Sequence, residues 1–250
     1  MCADTACPSS RARRLHGPVL RICPTVGGWW ARPVDHRESM TITVPPPLNL
    51  LHEDEWLLVL DKPAGLLSVP GRGEAGQLNL HTRLLARWAD ALIVHRLDMA
   101  TSGLMLFARG LPVQRSLSAA FAERRVDKRY EAVVEGLVAG EEGEIDAPLA
   151  ADWPDRPRQK VDHEFGKPSL TRWQVLSRAE GRTRLALQPL TGRSHQLRVH
   201  LQSIGHPISG DPLYAPEPPT APRMLLHATG LALVHPATQA PLAFHSPAPF

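Results

Sequence analysis

Beyond residue 39 the chain contains no cysteine. Its three, Cys2, Cys7 and Cys23, all lie in the first segment, at a spacing that matches no metal pattern. A disulfide framework and a thiolate zinc site are therefore excluded from the body of the chain. Long apolar runs are also missing. None approaches the roughly 18 residues that suggest a membrane span. The first 30 residues carry scattered Arg and Pro and the pair Trp29-Trp30, without the apolar centre of a signal peptide. A cytoplasmic protein without a membrane partner is expected. There is no internal repeat. The ten histidines after residue 39 form no HExxH pattern, which argues against a His-based metalloenzyme.

An excess of positive charge is largely missing as well. The chain has 28 basic and 25 acidic residues, a formal charge of +3. Arg11, Arg13, Arg14, Arg21, Arg32 and Arg37 face only Asp4, Asp35 and Glu38 in the first 39 residues, so the surplus sits there. The remainder is neutral. Any affinity for a polyanion must come from how charge is distributed, not from its sum.

The length of 250 residues suits one large domain or two small ones. Residues 1–39 show neither helical nor strand periodicity and are rich in Arg, Pro, Gly and Ser, so a disordered extension is expected. Met40 is a candidate for the true start. Order is expected from about Leu48. Trp56 to Leu60 reads as a buried strand ending in the turn Asp61-Lys62-Pro63-Ala64-Gly65. Asn79 to Trp88 has helical spacing. Ala91 to Leu97 and Leu104 to Ala108 read as strands around a polar turn. Pro112 suits a helix start, with the helix reaching about Arg124. Tyr130 to Val134 is rich in strand formers, and Glu141-Glu142-Gly143-Glu144 reads as a solvated turn. Trp153 to Lys160 is too rich in proline for either element. Leu170 to Leu176 and Thr183 to Leu187 suggest a hairpin around Glu180-Gly181-Arg182. Ser194 to Ile204 reads as a helix closed by Gly205. Short strands are expected near Leu231–Val234 and Leu242–Phe244. Many strands and few helices, not in strict alternation, predict an α+β fold.

Two segments concentrate chemistry. His95-Arg96-Leu97-Asp98-Met99-Ala100-Thr101-Ser102-Gly103 puts an acid, an Arg and two hydroxyls on one turn between apolar runs. Such a turn is a frequent reactive site, or a local cap in which Asp98 and Thr101 satisfy nearby backbone. Leu190 to Leu201 places Leu197, Leu201 and Ile204 on one helix face. His200 beside them reads as a packed core residue. Arg193 and Arg198 lie off that stripe, where a solvated helix edge is the plain alternative.

The run HRLDMATSG resembles the signature of the RluA-type pseudouridine synthases. Asp127-Lys128-Arg129-Tyr130, Leu190 to Leu201, His206-Pro207-Ile208-Ser209-Gly210-Asp211 and Leu225-Leu226-His227-Ala228 follow in the family's order. The resemblance covers about residues 48–250. It implies a mixed, mostly antiparallel central sheet with flanking helices and loops and an active-site cleft across it. It implies Asp98 as the catalytic nucleophile, Tyr130 as the active-site tyrosine, and Arg198 paired with Asp98 through a two-pronged contact. No cofactor and no metal are implied. The partner implied is RNA, with Arg96 and Arg193 near the site. Two basic stretches, Arg124, Arg125, Lys128 and Arg129, and Arg156, Arg158 and Lys160, are further candidates for phosphate contact. Residues 152–160 and 235–250 resemble more narrowly a subgroup that modifies both 23S rRNA and the anticodon stem-loop of certain tRNAs. That subgroup lacks a separate N-terminal RNA-binding domain. Residues 40–250 are then expected to form the catalytic domain, acting as a monomer. A module that only binds RNA is the rival reading; the joint presence of Asp98, Tyr130 and Arg198 argues against it.

Overall fold

The computed structural model describes residues 47–250 except 72, 74, 75 and 77. The expectations about residues 1–39 and Met40 lie outside the described residues. Order opens with a hairpin of β1 (Asn49–Glu53) and β2 (Leu57–Lys62). Asp54 forms its turn by accepting hydrogen bonds from the backbone N–H groups of Trp56 at 2.7 Å and Leu57 at 2.8 Å. A short helix α1 (Leu80–Leu85) follows, capped by Asn79, whose side chain accepts from Thr82 N–H at 2.9 Å. Next come β3 (Ala91–Ile93), β4 (Ser102–Arg109) and α2 (Leu111–Ala122), the last with a proline in its first turn. The second half contains β5 (Asp127–Glu135), β6 (Glu142–Asp146), β7 (Leu149–Ala151), β8 (Gln159–Val161), β9 (Leu170–Ala179) and β10 (Arg182–Pro189). It closes with α3 (Gln196–Ser203), β11 (Leu226–Val234) and β12 (Pro241–His245).

Ten strands form one sheet in the order β1-β2-β4-β11-β5-β10-β9-β6, with β12 beside β11 and β3 beside β4. Among the described residues β4 and β11 pair in parallel and the other pairs are antiparallel. The fold is α+β with a mixed, mostly antiparallel sheet, as expected. Strand alternation divides β2 and β4 between two cores. Leu58, Leu60, Met105 and Phe107 pack with Leu80 and Leu84 of α1. Leu57, Val59, Leu104 and Leu106 pack with Leu117 and Ala120 of α2. Leu197 and Leu201 of α3 meet Ala132, Val134, Leu185 and Leu187 of β5 and β10. At the parallel junction Gly103 has φ +112°, and a Cβ there would lie 2.4 Å from the Ala228 carbonyl oxygen. Glycine alone fits that approach.

Local differences from the expectations have physical causes. The strand expected to reach Leu97 stops at Ile93. Beyond it the His95 imidazole, not a strand, accepts the Leu106 N–H at 2.9 Å. Glu142–Asp146 is not a turn but the edge strand β6, paired with β9. Charge suits an edge, and Gly143 leaves room for Trp173, where a Cβ would come within 2.6 Å. The proline-rich stretch ends in β8, paired with β7. Ile204 caps α3 and is 37 % exposed, so the buried stripe ends at Leu201.

Candidate active site

Asp98 sits on the loop that links β3 to β4. That loop is fastened on both sides of it. Ser68 Oγ donates to Leu97 O at 2.7 Å and accepts from Leu97 N–H at 3.1 Å. Lys62, fully buried at the end of β2, donates to Pro63 O (2.9 Å), Leu66 O (2.8 Å) and Met99 O (3.2 Å). Burial pushes the Lys62 ammonium down to about 8, against the pull of Asp98 and Asp61. The Asp98 carboxylate itself is about a quarter exposed.

Arg198 reaches it from the first turn of α3. The side chain is buried, and Nη1 donates to Asp98 Oδ2 at 3.2 Å. The two-pronged contact expected with Asp98 is made instead with Asp211. Nε donates to Asp211 Oδ2 and Nη2 to Asp211 Oδ1, both at 2.7 Å. The reason is burial: Asp211 is completely enclosed, and an enclosed carboxylate needs the full guanidinium fork. It also accepts from the N–H groups of Leu213 at 2.9 Å and Tyr214 at 3.2 Å. Burial opposes the Arg198 charge, but Asp211 and Asp98 outweigh it and hold the guanidinium above its ordinary value.

The start of α3 is fixed by Gln196. Its oxygen accepts from Thr191 Oγ1 (2.7 Å) and Arg193 N–H (3.0 Å), and its nitrogen donates to Leu170 O and Thr171 Oγ1, each at 3.0 Å. His200 is a core residue, bound to Thr171 Oγ1 and Ala147 O at 2.9 Å each. Tyr130, on β5, lines the same cleft half-buried. Burial, then the Asp98 charge, raises its phenol well above the ordinary value. It therefore stays protonated at neutral pH.

The cleft encloses about 500 Å³. Leu97, Phe121, Leu197 and Leu226 give it apolar walls; Asp98, Tyr130 and Arg198 share it. Of the nine basic residues expected to meet RNA, Arg96, Arg124, Lys128 and Arg193 line it. Lys128 Nζ also donates to Thr191 O at 3.1 Å. The others lie outside the lining. Arg125 pairs with Glu123 at 2.7 Å and Arg129 with Asp127 at 3.1 Å. Arg156 lies over the Trp153 ring at 3.3 Å, Arg158 binds Asp155 and Leu213 O, and Lys160 is exposed on β8. Asp211, Lys62, His195 and Tyr214 were not among the candidates read from sequence. Lys62 gave a signal, being a cation at the end of an apolar strand; Asp211 gave only its place in a Gly-Asp turn. Among the described residues no group of His, Cys, Asp or Glu gathers as a metal would need. None of their helices is long and apolar enough to cross a membrane.

Fold and site define an α+β protein with a part-exposed carboxylate facing a cleft rimmed by cations. The chain belongs to the RNA pseudouridylate synthase family, whose family model matches residues 56–203. It is 48% identical over 208 residues to the dual-specificity RNA pseudouridine synthase RluA of Escherichia coli strain K12, covering 82% of this chain and 95% of that protein. To the enzyme of the same name from Vibrio cholerae it is 49% identical over 193 residues, 76% of this chain and 79% of the relative. For Pasteurella multocida the identity is 45% over 215 residues, 85% and 98%. The solved structure of human RNA pseudouridylate synthase domain containing 1 superposes with a TM-score of 0.70 at 28% identity, covering 82% of this chain and 84% of that one. The chain is an RNA pseudouridine synthase, an isomerase.

Proposed function

We propose that this enzyme converts specific loop uridines of 23S rRNA, of the tRNA anticodon stem-loop, or of both, with Asp98 as the nucleophile. The observation that carries the reading is the Asp98 carboxylate in a basic cleft, held at 3.2 Å by a buried Arg198 and sharing that cleft with Tyr130. The reaction breaks the N1–C1′ bond of uridine, turns the uracil and joins C5 to C1′. The C5 hydrogen leaves as a proton and N1 takes one up, so nothing is oxidised or reduced. Asp98 supplies the negative charge beside the glycosidic bond. Arg198 supports that charge. Tyr130 offers a ring to the uracil and a protonated hydroxyl for proton handling. The apolar walls keep the freed base from leaving.

The uridine must leave its stack to reach Asp98, at a cost of a few kcal/mol that is lower in loops than in duplexes. Arg96, beside Asp98 and exposed, fills the vacated space or grips a phosphate. Arg124, Lys128 and Arg193 contact the backbone along the cleft. Arg125, Arg129, Arg156, Arg158 and Lys160 serve as outer contacts. The 45–49% identity to enzymes named dual-specificity supports more than one kind of RNA substrate. The same reading takes residues 40–250 as the catalytic domain of a cytoplasmic monomer. Mapping pseudouridine in rRNA and tRNA from cells lacking the protein tests it. The expected result is loss at loop uridines, restored by the wild-type gene and not by Asp98→Asn. An unchanged map in both RNA classes would refute it.

A further inference from the structure

His195 has no role in the reading above, yet it is built into the site with unusual care. It stands at the N-terminus of α3 in the left-handed region, at φ 53°. Its ring is largely buried, with Nε2 3.9 Å from Asp98 Oδ2. Its Nδ1 lies 2.7 Å from the Tyr214 hydroxyl. Tyr214 is 4 % exposed, and its oxygen accepts the Gln159 N–H at 2.7 Å. Its own hydrogen then needs an acceptor, since a buried donor left unmade is costly. Among the described residues the acceptor in reach is His195 Nδ1. A nitrogen that accepts is bare, so the proton of a neutral imidazole must sit on Nε2, which faces Asp98.

We propose that His195, as the neutral Nε2–H tautomer imposed by Tyr214, is a positioning residue that orients the Asp98 carboxylate for attack. The proposal rests on Asp98 as the reacting group. At 3.9 Å the contact is longer than a hydrogen bond. It closes when substrate fills the cleft, as catalytic contacts commonly do. Arg198 already holds Asp98 Oδ2 from one side; a second donor fixes the carboxylate plane. The groups facing His195 are Asp98, Arg198, Asp211 and Arg96. Burial is the strongest influence and lowers its proton affinity; Arg198 and Arg96 add to it, while Asp98 and Asp211 oppose it. The ring is therefore a neutral donor, not a second cation. Burial likewise raises the Tyr214 phenol, so its hydrogen stays in place.

Two variants separate this role from a structural one. In His195→Gln the amide nitrogen can occupy the Nε2 position; in His195→Asn it cannot. Backbone preference runs the other way, because Asn accepts the left-handed region more readily than Gln. We expect His195→Asn to lower kcat about ten- to hundredfold, the range of one hydrogen bond to a charged group, with KM for RNA unchanged. His195→Gln should recover part of the loss. Nitrogen-15 spectra of histidine-labelled full-length enzyme at neutral pH should show His195 neutral and protonated at Nε2, and Tyr214→Phe should release the other tautomer. A protonated or Nδ1–H His195, wild-type kcat in both variants, or a loss confined to KM would overturn the proposal. Asp98→Asn measured in parallel distinguishes the two failures. If it is inactive while the His195 variants turn over normally, only the positioning role falls. If it turns over normally, Asp98 itself is misassigned.

Discussion

Arg198 serves two carboxylates, and it divides its donors unevenly. Two go to the enclosed Asp211 and one to the part-exposed Asp98. Stability and catalysis should separate along that division. Replacing Arg198 by Ala strands Asp211, and breaking such a buried pair costs about 3–5 kcal/mol. Asp98→Asn should cost less, about 1 kcal/mol, since the Asp98 carboxylate is part-exposed and the amide still accepts from Arg198. Double-mutant cycles on unfolding free energy should therefore give a larger coupling for Arg198–Asp211 than for Arg198–Asp98. Equal or reversed couplings would show that the fork is not shared this way. The resemblance read from sequence paired Arg198 with Asp98, and the structure makes that contact through Nη1 alone. The second carboxylate was not legible, because several acids were equally available and only the fold selects Asp211. His95 carries a different residue-scale consequence. Burial, with Lys128 adding to it, takes its imidazole from 6.5 down to about 3. Between those values the unfolded chain binds a proton that the folded one refuses. Its contribution to stability is thus complete above pH 6.5 and is lost as pH falls toward 3. His195, His200 and His227 are shifted in the same direction. His95→Gln should therefore show a shallower loss of urea midpoint across that range, not a flat one. An unchanged slope would mean His95 takes up its proton in the folded state.

Strands and helices with strong local signals were legible. The β9–β10 hairpin turns at Glu180 and Gly181, both at positive φ, as a two-residue loop demands. The helix expected from Pro112 is α2, and Gly205 follows α3 at φ +85°. What failed were elements decided by a neighbour. β6 is a strand because β9 offers it an edge, and β3 is short because a side chain replaces its ladder. The cleft cations belong to this scale too, since Arg96, the pair Arg124 and Lys128, and Arg193 come from three separate stretches. Each phosphate they neutralise should contribute about −0.7 to −0.9 to the slope of log affinity against log salt. Arg124→Gln and Arg193→Gln should each reduce the slope by about that amount. Arg125→Gln and Arg129→Gln, whose charges already answer Glu123 and Asp127, should change it less. The reverse ranking in filter-binding titrations would move the RNA path out of the cleft.

At the scale of the whole molecule, charge outside residues 1–39 sums to zero. On the proposed reading, RNA recognition depends on the cations that the fold gathers around one cleft. A chain beginning at Met40 should accordingly keep its melting temperature and its turnover. A marked fall in either would assign the first segment a part in packing or in RNA capture. The α+β class was legible because strand and helix signals do not alternate; the sheet order was not, since it depends on pairings between distant segments such as β4 with β11. The most direct test is pseudouridine formation by purified Asp98→Asn on a loop-containing RNA, measured beside its affinity for that RNA. The account predicts no product with binding retained, because the amide keeps the shape of the side chain and removes its charge. Product at the wild-type rate would contradict it.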